Sequence, residues 1–342
     1  MTFTVVVTDH PWRSVEAEQE ILAGVGARMR FADSTSEVDL LSRDADAILT
    51  CFGDVGPAVV RAATKLKVIG RYGTGVDNIA VDVATANGIL VTNVPAYCQD
   101  EVTDHALAMI LAFARQLLVF DRRLRADDWS LGQLAHPVRR IRGRTLGIVG
   151  LGRNGLLLAT KARALGLEIL AHDIHVRPAL DSDGVEFVSL QELARRADYV
   201  SLHVPLVEDT RNLVDEAFLR SMKPSAVLIN TARGGIVDQD ALITALRERW
   251  IAGAALDVFT PERILMDDPL LSLPNVIATP HVAYYSEESL IDLGRLAAEN
   301  VAAVLAGRKP AAIVNPEVLD LECWRHLRAA EMRPASKELH AG

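Results

Sequence analysis

Short apolar segments that alternate with helical segments constrain the fold of this 342-residue chain more than any other feature. A first series of candidate strands lies at 4–8, 47–51, 67–70 and 89–92, with helical segments such as 14–24 and 55–64 between them. A second series lies at 145–149, 168–171, 199–203, 226–230, 253–258 and 275–278. Strands that alternate with helices predict βαβ units and parallel sheets, so the fold class is α/β.

Two long helical segments indicate that the series form two domains. Segment 102–125 carries apolar residues at helical spacing and is too long for an ordinary connector, so it is predicted to be one helix that links the domains. Ser286 and two following glutamates predict an N-cap for a helix over 287–305. We expect that helix to return to the first domain, which makes the first domain discontinuous. A short helical stretch is predicted at 319–330, with disorder beyond it.

Composition argues against two classes of partner. With 36 basic and 45 acidic residues the net charge is −9, which argues against nucleic acid or an anionic membrane as the main partner. The basic stretch 139–144 is expected to be a solvated segment. Segment 1–9 has the pattern of a first strand and lacks a basic leader, and no apolar run is long enough to span a bilayer. These features predict a soluble, cytoplasmic protein without a membrane partner.

The cysteines fit the same compartment. Cys51, Cys98 and Cys323 are widely spaced and odd in number, which provides neither a disulfide framework nor a zinc pattern. We expect three reduced thiols and no metal site.

Residues 150–155 form a Gly-x-Gly-x-x-Gly fingerprint between a predicted strand and a predicted helix. Gly150 is expected to permit a tight turn, Gly152 a close approach of the pyrophosphate, and Gly155 close packing of the helix on the strand. Asp173 ends the next strand, where a carboxylate is expected to accept hydrogen bonds from ribose hydroxyls and to repel a 2′-phosphate. The sequence therefore favours NAD over NADP, although His175 and Arg177 could weaken that repulsion.

Three charged or titratable residues each follow a predicted strand of the second series: Arg233, Glu262 and His281. In open parallel sheets, ligands bind outside the carboxyl ends of the strands. A cation, a carboxylate and an imidazole at that edge are suited to acid–base chemistry on an anionic carbonyl compound. Together with the nucleotide fingerprint, they predict hydride transfer.

The sequence resembles the NAD-dependent D-isomer-specific 2-hydroxyacid dehydrogenases over roughly residues 45 to 316. The matching stretches are 71–79, 91–95, 147–155, 230–238, 253–259 and 279–281. The resemblance implies a Rossmann-like NAD-binding domain over 101–287, inserted in a discontinuous flavodoxin-like substrate domain over 1–100 and 288–342. It also implies an active site in a cleft between the domains, a small 2-oxo or 2-hydroxy acid substrate, and a homodimer.

Roles for individual residues follow from the same resemblance. Arg233 is expected to bind the substrate carboxylate or C2 oxygen, His281 to act as acid and base, and Glu262 to orient His281. Expected substrate contacts are the backbone N–H groups of Thr74 and Gly75. The remaining contacts with the cofactor are expected from Thr103, Arg153, Asn154, Asp173, His203, Pro205, Thr210, Thr231, Ala232, Asp257, His281 and Ala283.

Three further residues complete the expectations. Tyr97 stands where some D-lactate dehydrogenases have a tyrosine that contacts substrate, and a packing role explains it equally well. Tyr284, just after His281, is expected to narrow the pocket and to favour an apolar or aromatic-compatible substrate side chain. His105 is expected to serve helix packing.

Two alternative functions are also compatible with the sequence. Stretches 140–147 and 280–287 also resemble the C-terminal-binding-protein corepressors, in which NAD binding controls the assembly of partners. A short-form phosphoglycerate dehydrogenase is the second alternative. The absence of long low-complexity tails and the complete Arg, Glu and His set favour an enzyme.

Overall fold

The computed structural model describes residues 2–129, 138–175 and 184–329. The chain divides into two compact units, Met1–Tyr97 with Ser286–Gly342, and Cys98–Tyr285. The second unit is thus an insertion in the sequence of the first. Arg177, named above for its effect on cofactor preference, lies outside the described residues.

The first unit contains a five-stranded parallel sheet in the order β2-β1-β3-β4-β5. This is the order of flavodoxin-like folds. The strands are β1 (Phe3–Val7), β2 (Ala27–Phe31), β3 (Ala47–Thr50), β4 (Val68–Arg71) and β5 (Leu90–Thr92). The helices between them are α1 (Glu16–Ala23), α2 (Thr35–Ser42), α3 (Pro57–Ala62) and α4 (Val81–Ala86).

The second unit contains a seven-stranded parallel sheet in the order β8-β7-β6-β9-β10-β11-β12, which is the Rossmann order with one further strand. Its strands are β6 (Thr145–Val149), β7 (Glu168–His172), β8 (Val185–Phe187), β9 (Tyr199–Leu202), β10 (Val227–Asn230), β11 (Gly253–Leu256) and β12 (Val276–Ala278). Its helices are α5 (Gln99–Arg115), α6 (Leu117–Arg125), α7 (Arg153–Ala164), α8 (Leu190–Arg196), α9 (Glu216–Ser221), α10 (Gln239–Arg247) and α11 (Pro269–Ser272). Strands β9, β10 and β11 are buried throughout, which explains their nearly continuous apolar sequences.

The chain returns to the first unit through α12 (Glu287–Leu305). Ser286 caps this helix by accepting a hydrogen bond from the Ser289 N–H. A Cβ at Gly294 would lie 2.6 Å from the carboxylate of Glu18 on α1, so a larger residue there would displace the Glu18 side chain. Farther along, the side chain of Asn315 bonds the backbone on both sides of Leu90. The predicted discontinuous, two-domain α/β fold class is therefore confirmed.

Two strands and a helix break were not predicted. The strands β2 and β8 lie at sheet edges, and β2 carries Arg28 and Arg30 in place of an apolar run. The helix predicted over 102–125 is two helices, because Gln116 adopts a left-handed conformation with φ 52° and the axis bends by 60°. The stretch predicted over 319–330 is α-helical only as α13 (Arg325–Ala329), and the tail predicted to be disordered lies outside the described residues.

In the described part of the chain, no single helix is long and apolar enough to cross a membrane, although α5 and α6 would pass as one bent pair by length and composition.

Candidate active site

The three predicted catalytic residues follow adjacent strands. The strands β10, β11 and β12 are neighbours and run parallel, so their carboxyl ends share one edge of the sheet. Arg233, Glu262 and His281 lie in the loops that leave these ends.

The loop after β10 is shaped by Asn230. This buried side chain donates a hydrogen bond to the Arg233 carbonyl at 2.8 Å and accepts one from the Ala232 N–H at 3.0 Å. A Cβ on Gly234 would lie 2.0 Å from the carbonyl oxygen of Phe259, so this loop touches the backbone that leads to Glu262. Only glycine permits that approach.

His281 and Glu262 form a direct pair. The Nδ1 atom of His281 is hydrogen-bonded to Oε1 of Glu262, and the His281 side chain is 22% exposed. Because Nδ1 is engaged, Nε2 is the ring nitrogen that can exchange a proton with another molecule. The ring of Tyr284 stands edge-on to the imidazole, with the centroids 6.1 Å apart.

Asp257 holds the loop that carries His281. Its carboxylate accepts hydrogen bonds from the N–H groups of Val282 at 3.0 Å and Ala283 at 2.8 Å, and its carbonyl accepts one from the His281 N–H at 2.8 Å. Asp257 is fully buried. Its predicted role was contact with the cofactor, and the structure adds this contact with the His281 loop.

The glycine fingerprint joins β6 to α7. Gly150 has φ 93°, a left-handed conformation that favours glycine, and a Cβ on Gly155 would lie 2.1 Å from the Gly150 carbonyl oxygen. Gly152 caps α7, where Arg153 and Asn154 form the first turn, and a Cβ on Gly152 would meet no atom of the described residues within 4 Å. The loop therefore leaves open space in front of helix N–H groups, which suits a phosphate.

Asp173 follows β7 and faces this loop. Its Oδ2 accepts a hydrogen bond from the Leu151 N–H at 2.6 Å, and its Oδ1 accepts one from the His175 N–H at 2.7 Å. The carboxylate is thus held beside the open space at Gly152, where a ribose is expected.

The other predicted cofactor residues have varied surroundings. Burial lowers the pKa of His203 to about 4, so its ring is neutral near pH 7, and its Nε2 lies 2.8 Å from the Ser201 hydroxyl. Thr210 donates a hydrogen bond to the Pro205 carbonyl at 2.6 Å. The hydroxyl of Thr231 is buried and has no hydrogen-bond partner among the described residues.

Thr103 has a role in packing. Its buried hydroxyl donates to the Gln99 carbonyl at 2.7 Å and receives a hydrogen bond from Lys161 at 3.0 Å. Lys161 also pairs with Asp100 and Asp104, so these contacts join α7 to the start of α5.

Three predicted substrate residues belong to the first unit. Thr74 donates a hydrogen bond to the Val94 carbonyl, and Asn93 donates one to the Thr74 carbonyl, which fixes the loop of Thr74 and Gly75 after β4. Tyr97 packs against the core of that unit.

Sequence reasoning missed two polar residues. Asn230 is the last residue of the buried strand β10. A polar amide side chain in such a sequence is the signal that could have predicted its hydrogen bonds to the following loop. His105 was expected to serve helix packing, but its Nε2 lies 3.0 Å from the Thr279 hydroxyl, two residues before His281. Helical spacing shows which side of α5 carries His105, and only the folded unit shows that Thr279 faces it.

Comparisons with known proteins identify the family of this chain. The sequence model for the D-isomer specific 2-hydroxyacid dehydrogenase NAD-binding domain matches residues 107–283. A glyoxylate reductase of Korarchaeum cryptofilum is 43% identical over 283 residues, which cover 81% of this chain and 85% of that protein.

Two solved structures share the fold. The D-lactate dehydrogenase of Aquifex aeolicus, complexed with NAD and lactic acid, has a TM-score of 0.80 at 30% identity, and the match covers 89% of this chain and 96% of that one. An NADPH-dependent glyoxylate/hydroxypyruvate reductase of Sinorhizobium meliloti, in complex with NADP and malonate, has a TM-score of 0.82 at 30% identity, and the match covers 92% and 97%.

Proposed function

This chain belongs to the D-isomer-specific 2-hydroxyacid dehydrogenase family, and we propose that it reduces a small 2-oxo acid to the D-2-hydroxy acid with NADH. The observation that carries the proposal is the hydrogen-bonded pair of His281 and Glu262 beside the Arg233 loop. The same sheet carries the glycine loop. We assign nucleotide binding to the unit Cys98–Tyr285 and substrate contacts to Thr74 and Gly75 of the other unit.

The nicotinamide, when bound, supplies the hydride for C2 of the substrate. The residues of this chain then handle the charge and the proton. Nε2 of His281 donates a proton to the C2 oxygen, while Glu262 on Nδ1 stabilises the protonated imidazole before the transfer. The reverse reaction returns the proton to the same nitrogen.

Arg233 provides the positive charge that the substrate needs. A guanidinium stays protonated at all relevant pH values and presents paired N–H donors that match a carboxylate. Asn230 and Gly234 fix the backbone of its loop, and Nη1 of Arg233 donates a hydrogen bond to the Ala232 carbonyl at 2.7 Å.

The test of this function is NADH oxidation with glyoxylate, hydroxypyruvate, pyruvate and branched, thioether and aromatic 2-oxo acids. Turnover that is lost in His281→Ala supports the proposal. We expect a substrate with an apolar or aromatic-compatible side chain to be preferred, because the ring of Tyr284 stands beside His281. Tight NADH binding without turnover on any acid would favour the nucleotide-sensing partner protein instead.

The glycine loop gives a paired prediction. Gly155→Ala is expected to destabilise the protein by about 1–3 kcal/mol, because its Cβ meets the Gly150 carbonyl. Gly152→Ala is expected to leave the melting temperature unchanged and to raise the NADH Kd at least ~10-fold, because its methyl group enters the space for the pyrophosphate. Thermal melts and NADH fluorescence titrations measure both. If Gly152→Ala is well folded and binds NADH as tightly as wild type, the pyrophosphate does not bind at this loop.

Asp173 gives a prediction on cofactor choice. Asp173→Asn keeps an acceptor for the Leu151 N–H but removes the negative charge. We expect the ratio of kcat/KM for NADH over NADPH to fall at least ~10-fold, because like charges in contact cost several kcal/mol. The ratio is measured with one 2-oxo acid at saturation. An unchanged ratio would mean that another residue selects the cofactor.

We also propose a homodimer. Helix α6 has no buried residue and exposes Leu117, Leu118 and Leu124, an apolar face that a second copy could cover. Light scattering after size exclusion is expected to give twice the 37.2 kDa chain mass. Leu118→Glu with Leu124→Glu is expected to shift the protein toward a monomer, and a wild-type monomer would contradict the proposal.

A further inference from the structure

His105 on α5 reaches the loop of the candidate acid. Its Nε2 lies 3.0 Å from the Thr279 Oγ1 and 3.8 Å from the Asp257 Oδ1. The Thr279 hydroxyl donates its single proton to Asp257 Oδ1 at 2.5 Å. The contact with His105 must therefore be a donation from Nε2–H, which fixes the proton on that nitrogen.

The chain of hydrogen bonds ends at His281. Asp257 is fully buried and accepts from Thr279, Val282 and Ala283 through its carboxylate, and from the His281 N–H through its carbonyl. Three consecutive N–H groups of the His281 loop thus end on one residue. The carboxylate of Asp257 is held in place by its hydrogen bond from Thr279, which in turn contacts His105.

The His281 loop needs such support. His281 has φ 53°, in the left-handed region that residues other than glycine rarely adopt. Strained backbone of this kind persists only when surrounding contacts hold it. This conformation accompanies the contact between His281 Nδ1 and Glu262.

We propose that His105 is a positioning residue for the reaction: through Thr279 and Asp257 it holds the His281 loop in the conformation that pairs the imidazole with Glu262. His105 itself touches neither substrate nor the reacting atoms. The inference rests on the proposed function in so far as His281 is the acid. It goes beyond that function by assigning a role to His105 and Thr279.

Variants can separate the hydrogen bond from the packing. His105→Phe keeps a ring in place but removes the donor, whereas His105→Gln keeps an N–H donor for Thr279. In the same way Thr279→Val removes the relay hydroxyl and Thr279→Ser keeps it. Thermal melts establish that each variant is folded.

Two measurements then apply. We expect kcat to fall about 10-fold in His105→Phe and Thr279→Val, roughly the effect of one lost hydrogen bond, with the NADH Kd within about twofold of wild type. His105→Gln and Thr279→Ser are expected to retain most of the wild-type kcat. Combining His105→Phe with Thr279→Val should lower kcat no more than Thr279→Val does alone, because His105 acts through the Thr279 hydroxyl.

The second measurement needs no turnover. The imidazole proton between His281 and Glu262 should give a far-downfield proton resonance, identified by its absence in Glu262→Gln. We expect it to weaken or vanish in His105→Phe and to persist in His105→Gln. If wild type lacks turnover but this pattern holds, the proposed function fails and the positioning role stands.

Other results would overturn the role of His105. A resonance that stays unchanged in His105→Phe, whatever happens to kcat, would mean that the residue does not position His281. An NADH Kd that rises while kcat is unchanged would place His105 with the nucleotide site instead.

Discussion

Replacing His281 with alanine is expected to lower kcat by about 10²- to 10⁴-fold while NADH still binds. In the proposed mechanism the imidazole of His281 delivers the proton to the C2 oxygen from Nε2, because its Nδ1 is engaged by Glu262. Without it, the developing oxyanion must take a proton from water. Steady-state rates with the best 2-oxo acid, together with NADH fluorescence titration, measure the two effects separately.

Two further variants test whether the expected loss is specific to the His281 imidazole. Glu262→Gln should lower kcat less than His281→Ala does, because the imidazole remains and loses only its charged partner. His326→Ala is the matched histidine control, since His326 is exposed and belongs to the other unit. If His281→Ala retained a tenth or more of wild-type kcat, a different group would have to supply the proton.

Replacing Arg233 with glutamine is expected to lower kcat/KM for the 2-oxo acid by roughly 30- to 4000-fold, because losing one partner of a desolvated charge pair costs about 2–5 kcal/mol. Arg233→Lys should recover only part of that loss. A lysine keeps the charge but lacks the planar fork that binds a carboxylate through two parallel hydrogen bonds.

Comparing Arg233→Gln with Arg233→Lys separates the effect of the positive charge from that of the guanidinium geometry. Arg247→Gln is the matched control, because Arg247 is exposed in the last turn of α10 and outside the site. The measurement is kcat/KM at saturating NADH, with the NADH Kd as a check on the nucleotide site. Equal kcat/KM values in Arg233→Gln and Arg247→Gln would exclude Arg233 from substrate binding.

Much of the fold could be predicted from the sequence. Strands buried on both faces must be apolar throughout, so β9, β10 and β11 stood out as short hydrophobic runs. Edge strands have no such requirement, and β2, with its two arginines, was missed for that reason. The bend at Gln116 was missed because the apolar spacing continues through it while the backbone turns left-handed.

The position of the candidate site residues in the fold could also be predicted in part. Parallel strands bring their carboxyl ends to one edge, so a residue that directly follows a strand can be placed there from the sequence alone. His105 follows no strand, and nothing near it in the sequence indicates Thr279. Their contact exists because α5 packs on the sheet of the second unit.

The sequence by itself determined the parallel α/β architecture, the glycine loop with Asp173, and the positions of Arg233, Glu262 and His281 at strand ends. These features depend on local periodicity and on the fixed geometry of βαβ units. Only the tertiary structure decided which nitrogen of His281 faces Glu262, how Gly234 approaches Phe259, and that Asp257 supports the His281 loop. Contacts of this kind join residues distant in sequence, and their geometry is set by packing to within an ångström, which no local pattern encodes.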